Sequence, residues 1–208
     1  MPSSPVGAPW RRSLALVCVT AVLWCAGCAS PTPEAATSTT ASPVTDEVIA
    51  GELREVLSLI AERLATAPAV AAAKEVGGQL VTDRDREQSV LEAAQTEAER
   101  QDVDTSWVRE VFADQITANK DVQFALLDDW RVGVSPAPTQ GPDLAAEVRP
   151  ILDRLTPALI GALAGLEPYR GAPGCASVLA EVRDELDGQV EPAVETALVR
   201  ATENLCMA

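Results

Sequence analysis

One helix limits what this chain can fold into. Asp104 suits an N-cap, and helical spacing continues from it to about Arg131. A helix of that extent is about 42 Å long, unusual for a globular domain. Only a bundle or a dimer buries such an element well. Val108, Phe112, Gln115 or Ile116, Asn119, Gln123 and Leu127 share one of its faces at steps of three and four. A stripe of this kind is usually apolar. Asn119 and Gln123 therefore either bridge to neighbouring helices or point into a cavity.

The rest of the chain also reads as helix. Hydrophobic residues make up 47% but aromatics only 3%, and alanine, leucine and valine favour close-packed helices over strands. Val48, Ile49, Leu53, Val56, Leu57, Ile60 and Leu64 form one stripe. Pro68 should end or bend that helix, because its ring disfavours helical geometry in the residue before it. A second helix runs from Pro68 to about Val76, closed by Gly77-Gly78, and a third from Thr82 or Asp83 to about Gln101. Val90, Leu91, Ala94 and Ala98 face inward on the third. After a crossover loop at Val132–Pro142, the stretches Leu144–Leu166, Cys175–Leu186 and Val190–Met207 supply the remaining helices, with Pro150, Pro157 and Pro192 as kink sites. No strand alternation is convincing. The expected fold is all-α: a single-domain bundle of about six helices with one long central helix and a disulfide near the C-terminus.

The N-terminus reads as a targeting segment. Arg11 and Arg12 precede Ser13–Ala26, a stretch of fourteen weakly polar to apolar residues. That is too short to span a bilayer, so residues 1–29 are assigned as a signal peptide and the mature chain is expected to have no transmembrane span. The paired arginines resemble the start of a twin-arginine signal. Cys28, following Ala26-Gly27, resembles a lipoprotein acceptor and would give a lipid anchor, although Cys25 stands where such signals prefer leucine. Residues 30–45, rich in Ser, Thr, Pro and Ala, form a flexible tether ahead of a domain at 46–208. The domain is then exported, to the periplasm or beyond. Cys18, Cys25 and Cys28 fall in the export region, leaving Cys175 and Cys206. An even pair in an exported protein implies a disulfide, the alternative being two buried thiols.

Charge and composition then narrow the chemistry. A net charge of −15 argues against nucleic acid or anionic lipid as a partner, since both require a basic patch. With no histidine in the chain, neither a Ser-His-Asp nor a Cys-His arrangement can form, and the commonest zinc ligand is missing. An anionic substrate would need a cationic pocket that works against the field of the whole protein.

Cations at informative spacing do occur. Arg63 and Lys74 are eleven residues apart, which returns to nearly the same face of a continuous helix after three turns. Asp83, Arg86 and Glu87 share a face at the start of the third helix. Taken singly, each is an ordinary surface charge. Taken together with Phe112, Gln115-Ile116, Asn119 and Gln123 on the long helix, the set resembles the helical chorismate mutases. Asp129-Trp130, Pro142-Asp143-Leu144, Arg149-x3-Asp153-x-Leu155 and the Cys175, Cys206 pair narrow the resemblance to the secreted, gamma-type subgroup, over roughly Asp46 to Cys206.

The resemblance implies roles residue by residue. Arg63 matches an arginine that binds a substrate carboxylate, and Lys74 a lysine that contacts the ether oxygen and a carboxylate. Arg86 matches another pocket arginine, and Asp83 and Glu87 an acidic pair near the ring hydroxyl. Asn119 sits where relatives often place Ser or Thr, and Gln123 where they have Gln or Glu facing the ether oxygen. Arg149 matches an arginine that completes the pocket from the same chain. Two departures stand out: the segment before Arg149 is one residue longer than in the subgroup, and Val90 replaces a polar residue often found near the pocket. The resemblance further implies chorismate as substrate, no cofactor, no metal, and a homodimer. The competing expectation is an exported binding module that keeps the fold but recognises another small anionic metabolite without catalysis.

Overall fold

The computed structural model describes residues 43–186 and 188–208. The signal segment with Cys28, and the tether as far as residue 42, lie outside the described residues. Helix α1 (Pro43–Leu64) is followed almost without interruption by α2 (Ala67–Gly77), then by α3 (Arg84–Gln101) and the long α4 (Thr105–Val132). A π-helical turn at Leu144–Val148 leads into α5 (Arg149–Leu166), and a 3-10 turn at Glu167–Tyr169 leaves it. Helices α6 (Cys175–Glu185) and α7 (Pro192–Ala201) complete the bundle. Counted with α1 and α2 as one bent helix, there are six, and among the described residues there is no strand.

The inner stripe of α1 forms the core. Ile49, Leu53, Val56, Leu57, Ile60 and Leu64 are each at most 1% exposed, packed among α4, α5, α6 and α7. Val48, expected on this stripe, instead faces outward. By length and composition alone, Thr45–Gly77 is apolar enough to cross a membrane. Here its apolar stripe is the hydrophobic centre of the bundle. Removing such a side chain, for example by Leu57→Ala, should cost about 2–5 kcal/mol.

The bend between α1 and α2 matters because it controls whether Arg63 and Lys74 stay aligned. Pro68 has no N–H to donate. The Thr66 backbone N–H and hydroxyl both donate to the Arg63 carbonyl, at 3.2 and 2.7 Å. Helical bonds resume at once, with the Val70 N–H donating to the Thr66 carbonyl at 3.1 Å. The pitch is therefore barely disturbed, and both cations remain on the inner side.

Two aspartates set the starts of α3 and α4. Asp83 Oδ1 accepts from the Arg86 N–H at 3.0 Å. Asp104 Oδ1 accepts from the N–H groups of Ser106 and Trp107 at 2.9 and 3.1 Å. Both satisfy amides that a helix N-terminus leaves free.

Two expected helices differ in the structure. The stretch Leu144–Leu166 does not run as one α-helix, because the Arg149 N–H reaches back five residues to the Leu144 carbonyl. Pro150 explains the position: its ring crowds the carbonyl four residues earlier and it offers no donor. A wider turn relieves both problems. The last helix stops at Ala201 instead of continuing to Met207. Here tertiary bonds override propensity. The Asn204 N–H and amide both donate to Asp114 Oδ2, at 3.0 and 2.9 Å, and the Trp107 indole N–H donates to the Asn204 carbonyl at 3.0 Å. Cys206 is bonded to Cys175, with a Cα–Cα distance of 5.7 Å.

Candidate active site

A cavity of about 280 Å3 lies between the α1–α2 bend, the first half of α3, the middle of α4 and the π turn with the start of α5. Arg63, Lys74, Arg86 and Gln123 all line it, and so do Asp83, Glu87, Asn119 and Arg149. The structure thus brings together all eight residues singled out in the sequence, from four separate segments of one chain.

Arg63 is the most deeply placed cation, 8% exposed. Its Nε donates to Gln115 Oε1 at 2.8 Å and its Nη1 to Thr156 Oγ1 at 3.2 Å. The guanidinium carbon lies 4.9 Å from the centroid of the Phe112 ring. Among the described residues it makes no ion pair with a carboxylate. Burial pushes its pKa down to about 10, which still leaves it charged at neutral pH. A buried cation held only by neutral groups is costly unless an anion completes its surroundings. The arrangement is that of an anion receptor.

Lys74 is half-buried, and its Nζ donates to the Val81 carbonyl at 2.7 Å. Burial lowers its pKa from the ordinary lysine value; Asp83 and Glu87 oppose that shift, while Lys120 adds to it. On α3, the capping bond of Asp83 fixes the first turn, from which Arg86 and Glu87 face the cavity. Glu87 Oε2 accepts from Lys120 Nζ at 2.9 Å. Its other oxygen is buried without a partner among the described residues.

Gln123, only 3% exposed, donates through Nε2 to Asn119 Oδ1 at 2.7 Å, and its Oε1 is buried without a partner among the described residues. Half a rotation about the last side-chain bond exchanges the amide's two ends, so this residue can offer the cavity a donor or an acceptor. Arg149 reaches the wall from the junction of the π turn and α5, between buried Val148 and half-buried Leu152. Gly141 brings the crossover loop close to α2: a Cβ there would stand 2.8 Å from Ala73 Cα.

Sequence reasoning missed Lys120 and Thr156. Lys120 follows Asn119 and looks like a solvent charge, yet it lies four residues after Ile116 and three before Gln123, which also line the cavity. That spacing was the available signal. Thr156 gave none, since only packing carries it to Arg63. Counting Lys120, five cations (Arg63, Lys74, Arg86, Lys120, Arg149) face two carboxylates (Asp83, Glu87). In a chain with a net charge of −15, this concentration of positive charge is local and specific.

The bundle and its cation-rich cavity define a helical protein built to hold a small polyanion. Residues 54–124, which carry seven of the eight site residues, match the family described as chorismate mutase type II. The secreted chorismate mutase of Mycolicibacterium smegmatis is 32% identical over 159 residues, covering 76% of this chain and 87% of that one. The secreted chorismate mutase of Mycobacterium tuberculosis is 29% identical over 159 residues, covering 76% and 79%. The crystal structure of chorismate mutase from Burkholderia thailandensis superposes with a TM-score of 0.69 at 36% identity, covering 74% of this chain and 99% of that one. The chain belongs to the chorismate mutase family.

Proposed function

We propose that the mature domain is an exported chorismate mutase that converts chorismate to prephenate in this cavity, with no covalent intermediate and no cofactor. The observation that carries the reading is Arg63: a buried cation held by Gln115 and Thr156, with no carboxylate partner among the described residues, in a cavity that four further cations line. The reaction is a rearrangement within one molecule, with no proton to abstract and no leaving group to protonate. A site without histidine loses nothing by it.

What the reaction needs is a folded substrate and stabilisation of charge on the ether oxygen as the C–O bond breaks ahead of C–C formation. Arg63, Arg86 and Arg149 bind the two carboxylates, because the guanidinium fork makes paired, charge-assisted hydrogen bonds. Lys74 Nζ and the Gln123 amide donate to the ether oxygen. Asp83 and Glu87 lie towards the ring hydroxyl, and Asn119 orients Gln123 through the 2.7 Å bond between them.

The domain is exported through the segment 1–29, in keeping with relatives named as secreted. It works as a homodimer with a complete site in each chain, a reading that rests on the family resemblance and on the length of α4 (Thr105–Val132). The decisive experiment is direct: purified mature protein should consume chorismate, followed by loss of its absorbance. Protection from melting by chorismate without turnover would instead support the binding-module reading.

A further inference from the structure

Lys120 has none of the roles carried over from the family, yet it lines the cavity and pairs with Glu87 there. The pair joins α4 to α3 at 2.9 Å, with both side chains about three-quarters buried, 22% and 25% exposed. Glu87 uses one oxygen for this bond. Its other oxygen is buried and has no hydrogen-bond partner among the described residues, so this carboxylate still lacks a donor. A carboxylate in that place is a liability in a site meant for a dianion. Unneutralised, it would repel both substrate carboxylates across a poorly solvated space.

We infer that Lys120 is a positioning and specificity residue: it neutralises Glu87 and holds that carboxylate so that its free oxygen accepts from the hydroxyl of a hydroxylated, dianionic ring substrate. The assignment rests on the activity proposed above. Lys120 acts through Glu87 and does not bind the substrate carboxylates. Its pairing bond runs to Glu87 Oε2, and Arg63, Lys74, Arg86 and Arg149 already supply four cations without it.

The consequence is a dependence between two residues that a merely structural ion pair would not produce. Lys120→Met keeps the length of the stem and removes the charge, exposing the substrate to an unneutralised Glu87. Its KM for chorismate should rise about tenfold or more, with kcat changed far less. Lys120→Arg should stay within about threefold of the native enzyme, because it keeps the charge and the reach. In Lys120→Met/Glu87→Gln the glutamine oxygen still accepts from a hydroxyl but brings no charge, so KM should fall back towards the native value.

The test is steady-state kinetics with chorismate on the native protein, Lys120→Met, Lys120→Arg, Glu87→Gln and the double variant, with melting curves for each. Recovery of KM in the double variant, beyond any change in melting temperature, supports the inference. Unchanged KM in Lys120→Met contradicts it, and so does a double variant whose losses multiply, since Lys120 would then act on the substrate directly. Native protein inert towards chorismate would instead contradict the proposed activity, so the two failures are distinguishable.

Discussion

Arg63 donates through Nε to Gln115 Oε1 at 2.8 Å, across 52 residues of chain, and the neutrality of that partner keeps the guanidinium available to a ligand. A carboxylate at the same place would satisfy the charge and close the site. Gln115→Glu is therefore expected to raise KM for chorismate at least tenfold while leaving the melting temperature unchanged or higher, since a buried ion pair replaces a charge–dipole bond. Gln115→Leu should lower kcat/KM by roughly 10- to 100-fold, the usual scale for losing a hydrogen bond to a buried charge. Steady-state kinetics on both variants check this, and an unchanged KM in Gln115→Glu would remove Arg63 from carboxylate binding.

Lys74 is held by a carbonyl and, among the described residues, by no carboxylate, so its ammonium also keeps hydrogens for a ligand. Lys74→Ala should lower kcat by a factor of hundreds or more, as expected when one preorganised donor to developing charge is removed. Near-normal turnover in this variant would contradict the site as described.

The pH profile follows from which groups titrate. A glutamine at 123 needs no protonation to donate, so activity should stay nearly level between pH 6 and 8. Burial holds Lys74 below the ordinary lysine value, and its working form is the cation, so the alkaline limb should fall as Lys74 loses its proton, before an exposed lysine would. Arg63, pushed down to about 10 by burial, then discharges as well. The sign for stability is opposite: with a folded value below the unfolded one, proton binding favours the unfolded chain, so this contribution improves as pH rises through about 10. Gln123→Glu should move the optimum towards acid, because a glutamate donates only when protonated. A steep loss between pH 6 and 8 in the native enzyme would count against Gln123.

The disulfide should matter for stability and not for chemistry. Cys175 and Cys206 are 31 residues apart, and closing such a loop contributes roughly 3–4 kcal/mol in the chain-entropy model. Cys175→Ser/Cys206→Ser should lower the melting temperature by about 10 °C. Neither cysteine lines the cavity, so kcat/KM should remain within about twofold at a temperature where the variant is folded. Differential scanning calorimetry paired with kinetics separates the two effects.

Much of this architecture was legible before any coordinates. The stripe on α1 apart from Val48, the start of α3 near Asp83, the cap Asp104 and the full extent of α4 are local signals, carried by spacing and by short polar side chains at helix starts. The inward aim of Arg63 and Lys74 was legible on one condition, a mild bend at Pro68, and the hydroxyl of Thr66 meets it. The π turn was not legible, since Pro150 marks a kink site without revealing whether the helix breaks there or winds wider; the Arg149 N–H and the Leu144 carbonyl decide that locally. The end of α7 depends on Asp114 and Cys175, distant in sequence. Lys120 looked like a solvent charge because its partner, Glu87, is 33 residues away and only the packing of α3 on α4 brings them together.

The central claim is that a cavity lined by five cations, with Arg63 buried and without a carboxylate partner among the described residues, turns over chorismate. The most direct measurement is the loss of chorismate absorbance on adding purified mature protein at neutral pH, with prephenate identified as the product. Turnover that is saturable, independent of added metal or cofactor, and reduced by hundreds of times or more in Lys74→Ala is the expected result. No turnover by folded protein that chorismate nevertheless protects from melting would contradict the claim and make the cavity a binding site alone.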